Sequence, residues 1–96
     1  MLTNEDYSPE GIKNVSTEAI KREIEDLRRI NLEAAECGFM AEQEGNMGLA
    51  FAYAAEMGVH KIKFSILDDE LQFREFADSF SRGEVDLGAL LGGLFK

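Results

Sequence analysis

Hydrophobic residues recur at steps of three or four through the first half of the chain, which is the spacing of one apolar stripe on an α-helix. The stripe consists of Ile20, Ile24, Leu27, Ile30, Ala34, Cys37 and Ala41. Ser16 precedes the stripe and is a favourable N-cap residue, so the pattern predicts a first helix over residues 16–43. Gly45 and Asn46 then form a predicted turn, and Asn46 is expected to cap the helix that follows.

A second helix is predicted over residues 47–57, where Glu56 is the only charged residue. A helix that is apolar on nearly all sides is typically buried on several faces. Gly58 is expected to end this helix, because glycine readily adopts the left-handed conformation that follows a C-cap.

The spacing changes at residues 59–67, where Ile62, Phe64 and Ile66 alternate with Lys61, Lys63 and Ser65. Such alternation of apolar and polar residues is typical of a strand. We therefore predict one short β-strand over residues 59–67, with a helix as the alternative.

Helical spacing returns at residues 69–82, which predicts a third helix that begins near Asp69 and ends at Gly83. A short fourth helix over residues 87–95 is a further option, although its glycines weaken it. The predicted fold is thus mainly α, with three to four helices and one strand.

The predicted organisation is a single helical domain over residues 16–96, preceded by a flexible N-terminal arm over residues 1–15. Tyr7 and Ile12 are the residues expected to hold the arm to the domain. The side chains predicted to be mostly buried in the core are Ile24, Leu27, Phe51, Phe64, Phe76 and Phe80.

The single predicted strand has no partner within the chain, and unpaired strand edges expose backbone donors and acceptors. We therefore expect a homodimer in which the strand pairs antiparallel with its copy across a two-fold axis. The candidate dimer or partner-binding residues at this edge are Lys61, Ile62, Lys63 and Phe64.

The formal net charge of −9 disfavours direct binding to nucleic acid or to an anionic membrane surface. It favours a protein partner that carries a basic patch. The candidate acidic face on the first helix consists of Glu18, Glu25, Asp26, Glu33 and Glu36. A polar, acidic start and the lack of a long apolar run predict a cytoplasmic protein, in a host cytosol if the protein is viral.

The sequence offers no arrangement of residues that is typical of catalysis, and we expect neither an enzyme nor a cofactor or metal site. Cys37 and His60 are the only cysteine and histidine, and nothing in the pattern brings them together. Cys37 is predicted to be a small buried hydrophobic residue, and His60 to lie on the surface or at a strand end.

The spacing of Gly38, Gly45, Asn46 and Ala50 resembles one tetratricopeptide hairpin. The resemblance covers about 28 residues, lacks the aromatic and proline positions of that family's pattern, and has no second copy along the chain. It implies binding of a peptide or a protein partner.

The predicted function is a small non-enzymatic protein–protein interaction module, such as an adaptor, an assembly factor or a chaperone-like subunit. An alternative is a phage-type acidic inhibitor that mimics nucleic acid and blocks a nucleic-acid-binding host complex such as CRISPR machinery. A C-terminal apolar tail is a further candidate binding segment, through Leu90, Leu91, Leu94 and Phe95.

Overall fold

The computed structural model describes residues 1–83 as a helical hairpin with a short N-terminal arm. The arm contains two single turns of 3-10 helix, Glu5–Tyr7 and Ile12–Asn14. Helix α1 spans Thr17–Gln43 and helix α2 spans Met47–Ser81. The two helices run antiparallel, and the end that carries their connection is called the tip, whereas the end next to the arm is called the base.

Local hydrogen bonds fix the helix ends where the sequence predicts them. The Ser16 side chain accepts a hydrogen bond from the Ala19 amide at 3.1 Å, and the Asn46 side chain accepts one from the Leu49 amide at 3.1 Å. Gly45 has a φ of +77°, and the Asn46 amide donates to the Ala41 carbonyl at 2.8 Å. This is the Schellman arrangement that ends a helix at a left-handed glycine.

The predicted strand over residues 59–67 is wrong, because these residues lie inside α2, and residues 1–83 contain no strand. Gly58 does not end a helix, and Asp69 does not begin one. The predicted second helix, strand and third helix are therefore one continuous helix of 35 residues, and the predicted count of three to four helices is replaced by two long ones. The mainly helical fold class is confirmed, and the predicted helix over residues 87–95 lies outside the described residues.

The physical reason is the spacing of the residues that pack against α1. His60 and Leu67 are buried, and Phe64 and Leu71 are half-buried. Steps of three and four place these side chains on one side of a helix, and α1 offers them an apolar surface that a lone strand would not have. The alternation at Ile62, Phe64 and Ile66 is present in the sequence, but residues 1–83 contain no other strand with which these residues could form a sheet.

The large buried side chains lie at the base of the hairpin. Ile12, Ile20, Leu27 and Leu67 form one buried cluster, and half-buried residues of the arm and of both helices surround it. Towards the tip, the buried apolar positions of α1 are Ala34 and Ala41. Packing at the tip is therefore based on small side chains.

The predicted core is only partly correct. Leu27 is buried, as predicted, whereas Ile24 and Phe64 are half-buried. The prediction is wrong for Phe51, Phe76 and Phe80, which are 67%, 49% and 48% exposed. All three belong to the side of α2 that faces away from α1.

Polar contacts attach the arm to the base. The Tyr7 hydroxyl donates to a carboxylate oxygen of the buried Glu23 at 2.8 Å, and the Leu2 amide donates to the same oxygen at 3.0 Å. Burial, followed by the hydrogen bond to Glu23, holds the pKa of the Tyr7 phenol above its ordinary value. The contacts of Tyr7 and Ile12 agree with their expected anchoring role, while mobility of the arm in solution stays a prediction.

The buried carboxylate of Glu70 joins the arm to α2. Lys13 Nζ lies 2.8 Å from Glu70 Oε2, and Arg74 Nε lies 3.0 Å from Glu70 Oε1. Arg74 also donates to the Ile12 carbonyl and to the Thr17 hydroxyl, each at 3.0 Å. The hydrogen bond from Lys13, and then that from Arg74, outweigh burial and lower the pKa of Glu70.

The hairpin is elongated. Its radius of gyration is 18.6 Å, whereas a compact chain of this length would have a value of about 12–13 Å. Its accessible surface is 7047 Å², whereas a compact monomer of this mass would expose about 5,500 Å². The fold thus leaves much more side-chain surface uncovered than a small globular domain does.

Candidate functional site

The predicted acidic face of α1 is partly neutralised by its own arginines. Glu25 lies 3.6 Å from Arg28, and Asp26 lies 3.5 Å from Arg29. Both pairs join residues three positions apart on the helix. The remaining members of the predicted face, Glu18, Glu33 and Glu36, are exposed. A regular row of free carboxylates along α1 is therefore interrupted at its middle.

The four residues predicted to form a strand edge do not share a surface, because successive residues of a helix point in different directions. Lys61 is exposed, and Ile62 is 64% exposed on the side of α2 away from α1. Lys63 Nζ lies 5.2 Å from the centroid of the Tyr7 ring, and Phe64 packs against the core. The predicted strand-edge site is therefore wrong, while Ile62 belongs to a different surface described below.

The predicted apolar tail lies outside the described residues. Its members are Leu90, Leu91, Leu94 and Phe95, and the structure describes the chain to residue 83. Binding by this tail stays a prediction.

Four exposed apolar residues lie near the connection between the two helices, and they point in different directions around their helices. They are Phe39, Met40, Met47 and Leu49, which are 63%, 60%, 48% and 44% exposed. Of these four, Phe39 also lines the groove between the helices. We call these four residues the tip surface. Methionine is flexible and polarisable, so a surface that contains Met40 and Met47 can adapt to partners of different shape.

The residues that flank the tip surface along the sequence include several glutamates and no lysine or arginine. Residues 30–60 contain five glutamates and neither lysine nor arginine. Glu36, Glu42 and Glu44 are exposed close to the tip surface in sequence. The negative end of the α1 dipole and the positive end of the α2 dipole adjoin at the tip, so the two largely offset each other. The acidic character of the tip therefore comes from the glutamate side chains.

A shallow groove continues from the tip surface between the two helices. Small side chains line it on both sides, and the lining residues are Ala35, Gly38, Phe39, Glu42, Ala50, Tyr53, Ala54 and Met57. A Cβ atom at Gly38 would lie 3.3 Å from the Tyr53 Cβ, so glycine permits the close approach of the helices here. The groove gives the apolar part of the tip a concave extension.

A second apolar surface runs along the side of α2 that faces away from α1. Its large members are Phe51, Val59, Ile62, Phe73, Phe76 and Phe80, and they are between 48% and 67% exposed. We call these six residues the outer stripe. An ordinary surface helix has a single apolar face, whereas α2 has one face against α1 and another in solvent.

Cys37 and His60 are placed differently from their predictions. Cys37 is exposed, not buried. His60 is buried, not on the surface; its Nδ1 lies 3.2 Å from Asn31 Oδ1, and its Nε2 lies 3.7 Å from Glu56 Oε1. Because both ring nitrogens face groups other than Cys37, the geometry gives no support to a Cys–His catalytic pair.

Residues 1–83 contain neither a candidate metal site nor a candidate membrane-spanning helix. No group of three or more His, Cys, Asp or Glu residues in this range is arranged to hold a metal ion. No helix in the same range is both long and apolar enough to cross a membrane.

The chain matches no protein-family model, no curated protein and no solved structure. The tetratricopeptide resemblance is confined to the connection, because one such repeat fits both helices into 34 residues, whereas this hairpin extends from Thr17 to Ser81. The exposed surfaces of the hairpin are therefore the features that bear on its function.

The sequence interpretation missed the tip surface and the outer stripe. The sequence does hold a signal for the tip surface. Residues 30–60 contain no lysine or arginine, and the same stretch includes Phe39, Met40 and Met47. A signal for the outer stripe was the repeat of apolar residues at 51, 55, 59, 62, 66, 73, 76 and 80. That repeat becomes visible only when residues 47–81 are treated as one helix.

Proposed function

We propose that this protein is a small non-enzymatic interaction module, of the adaptor, assembly-factor or chaperone-like kind, whose tip surface binds a basic amphipathic helix of another protein. The observation that carries the proposal is the exposed apolar tip within a stretch that holds five glutamates and no lysine or arginine. Helix-in-groove recognition uses an apolar stripe on one partner and an apolar groove on the other.

The apolar contribution comes from Phe39, Met40, Met47 and Leu49 together with the groove beside Tyr53. Burial of apolar area supplies roughly 25 cal/mol per Å², and flexible methionines allow the surface to adjust to its partner. Small residues in the groove leave room for large apolar side chains of a docking helix.

The charge contribution selects the partner. Glu36, Glu42 and Glu44 would face the lysines or arginines that flank the apolar stripe of a basic amphipathic helix. An acidic helix would meet like charge at the same place and would be rejected. The partner class is therefore defined by both its apolar stripe and its positive charge.

A synthetic helical peptide with leucines at helical spacing and lysines elsewhere is the probe for this proposal. We expect it to bind the full chain, and we expect affinity to fall as NaCl rises, because screening weakens the charge contribution. A peptide of the same leucine pattern with glutamates in place of lysines should not bind. Isothermal titration calorimetry at two salt concentrations measures both affinities.

The double variant Glu36→Gln/Glu42→Gln should weaken binding of the basic peptide about 5- to 30-fold, which corresponds to roughly 1–2 kcal/mol. The matched control is Glu10→Gln/Glu75→Gln, which removes the same charge from exposed positions away from the tip. Phe39→Ser should weaken binding at both salt concentrations. Equal losses in the tip variant and the control would show that net charge alone drives binding and would contradict the tip as the site.

The nucleic-acid mimic stays an alternative hypothesis. Its ruler-like row of carboxylates would use the face of α1 that includes Glu18 and Glu25, and the contact of Glu25 with Arg28 weakens that row. Charge reversal by Glu18→Lys/Glu25→Lys separates the two hypotheses, because it should leave binding of the basic peptide to the tip nearly unchanged. A larger loss from this reversal than from the tip variant would favour the mimic.

A further inference from the structure

The outer stripe of α2 is a long and largely exposed apolar face, which the arm reaches at Phe73, where Lys13 Nζ lies 4.3 Å from the centroid of the ring. Phe51 and Ile62 are 67% and 64% exposed, and Phe73, Phe76 and Phe80 are each close to half exposed. Large apolar surfaces of this kind on a small protein mark interaction sites. We infer that a second copy of this chain covers the outer stripe, with the two α2 helices packed antiparallel across a two-fold axis.

The length of the stripe favours another α2 as its occupant. From residue 51 to residue 80 a helix rises about 44 Å, at roughly 1.5 Å per residue. A second α2 has the length needed to cover the whole stripe.

Antiparallel pairing also brings large side chains opposite small ones. With the two-fold axis between residues 65 and 66, Phe73 lies opposite Gly58 of the other copy, and Phe76 lies opposite Ala55. The same register sets Ile62 opposite the exposed Asp69. When two helices pack, large side chains on one helix fit into the grooves that small side chains leave on the other. At the two ends of the interface, Phe80 lies opposite Phe51, and paired aromatic rings contribute beyond their buried area.

The charges along α2 favour the same orientation. Residues 47–66 contain Lys61, Lys63 and Glu56, which sum to +1, whereas residues 67–81 contain five acids and Arg74, which sum to −4. Antiparallel pairing sets Lys63 opposite the exposed Asp68, whereas Glu70, opposite Lys61, is already bound to Lys13 and Arg74 of its own chain. Parallel pairing would bring the two acidic halves together and is disfavoured.

The exposed area is sufficient for such an interface. The accessible surface of 7047 Å² exceeds that of a compact monomer of the same mass by about 1,500 Å². A stable interface of standard size buries roughly 800 Å² from each partner. A closed two-fold interface of this size would cover about half of the excess on each chain with one self-complementary contact.

Light scattering of the full chain at micromolar concentration tests the inference, and the expected mass is twice the 10.7 kDa of one chain. Ile62→Glu should give a monomer, because it replaces an apolar side chain near the centre of the interface with a carboxylate that faces Asp69 of the other copy. The matched control is Leu32→Glu on α1, since Leu32 is 62% exposed and Ile62 is 64% exposed. A monomeric parent chain, or a dimer that survives Ile62→Glu, would overturn the inference.

Cysteine cross-linking in a Cys37→Ser background tests the orientation. Ser65→Cys should form a disulfide-linked dimer readily, because residue 65 lies next to the two-fold axis. Phe51→Cys should not, because antiparallel packing sets the two copies of residue 51 about 44 Å apart. Cross-linking at Phe51→Cys but not at Ser65→Cys would indicate parallel packing and would contradict the inference.

The dimer and the tip proposal can fail separately. Ile62→Glu leaves the tip surface unchanged, so the monomeric variant should still bind the basic amphipathic peptide. Phe39→Ser and Glu36→Gln/Glu42→Gln should leave the molar mass at the dimer value. In the parent chain, a dimer that fails to bind the peptide would contradict only the tip proposal, and a monomer that binds the peptide would contradict only the dimer.

Discussion

Replacing Leu27 by alanine is expected to lower the free energy of unfolding by about 2–5 kcal/mol. Leu27 is 1% exposed and belongs to the buried cluster that also holds Ile12, Ile20 and Leu67. The substitution removes the transfer free energy of the deleted methyl and methylene groups and leaves a cavity that close packing fills poorly. Because a small domain has a total stability of only about 5–15 kcal/mol, the loss should be evident in urea unfolding followed by circular dichroism.

Leu32→Ala is the matched control, because it makes the same chemical change in the same helix at a side chain that is 62% exposed. We expect its effect to stay within about 0.5 kcal/mol, as is usual for surface substitutions. Unfolding midpoints should be compared at one fixed protein concentration, since association stabilises the folded state by mass action. Equal losses at the two positions would mean that Leu27 is not the centre of the core.

Glu70→Gln is expected to cost about 2–3 kcal/mol at neutral pH, because it removes charge-assisted hydrogen bonds to a buried carboxylate. Lys13 and Arg74 contact the two oxygens of that carboxylate at 2.8 and 3.0 Å. The variant also weakens the attachment of the arm, since Lys13 belongs to it. Urea unfolding at neutral pH measures the loss.

The pH dependence follows from the lowered pKa of Glu70. Its hydrogen bonds with Lys13, and then with Arg74, lower the pKa below the ordinary value of 4.5. Ionised Glu70 therefore stabilises the folded state, and this contribution is complete at any pH above the pKa that Glu70 has in the unfolded chain. The contribution is lost as the pH falls through the lower pKa that Glu70 has in the folded chain. The stability of Glu70→Gln should accordingly fall less than that of the parent chain when the pH is lowered from about 5 to about 3.

Glu75→Gln is the control for both measurements, because Glu75 lies on the same helix but is exposed. It should change stability by no more than about 0.5 kcal/mol at neutral pH. Its acid sensitivity should match that of the parent chain. If Glu70→Gln kept the full acid sensitivity, other carboxylates would be responsible for acid unfolding.

The helix ends and one side of the core could be predicted from the sequence because short-range rules decide them. Ser16 and Asn46 cap their helices through contacts to residues three positions away, and Gly45 takes a left-handed conformation that few other residues adopt. Leu27 lies in a stripe of regular spacing, which is sufficient to predict its burial. These features depend on local hydrogen bonds and on the repeat of the helix.

The course of α2 could not be predicted with the same rules. Residues 59–67 fit both a strand of period two and a helix of period 3.6, and only the presence of α1 beside them decides between the two. Gly58 offered a local stop signal, but packing of His60 and Leu67 against α1 outweighs one unfavourable glycine, which costs roughly 1 kcal/mol. An error at this one segment changed the number of elements and the basis of the predicted dimer.

The candidate surfaces were harder to predict because exposure is a property of the whole fold. The apolar helix faces in the sequence predict burial of Phe51, Phe76 and Phe80, whereas the structure leaves all three on the side of α2 away from α1. The acidic face was found in the sequence, whereas the neutralising contacts of Glu25 and Asp26 depend on arginines three positions along α1. A hydrophobic residue in a small chain can therefore lie on a binding surface instead of in the core, and its type alone does not distinguish the two positions.

The concentration of large buried side chains at the base has a consequence for motion at the other end of the hairpin. The ends of α1 and α2 near the tip are joined mainly through small residues such as Ala34, Ala41 and Gly38. Separating these ends exposes little apolar area, so local opening there costs far less than global unfolding. The tip can therefore widen to admit side chains of different size while Leu27 and Leu67 keep the base closed, and its backbone amides would exchange with solvent hydrogen sooner than those of the base.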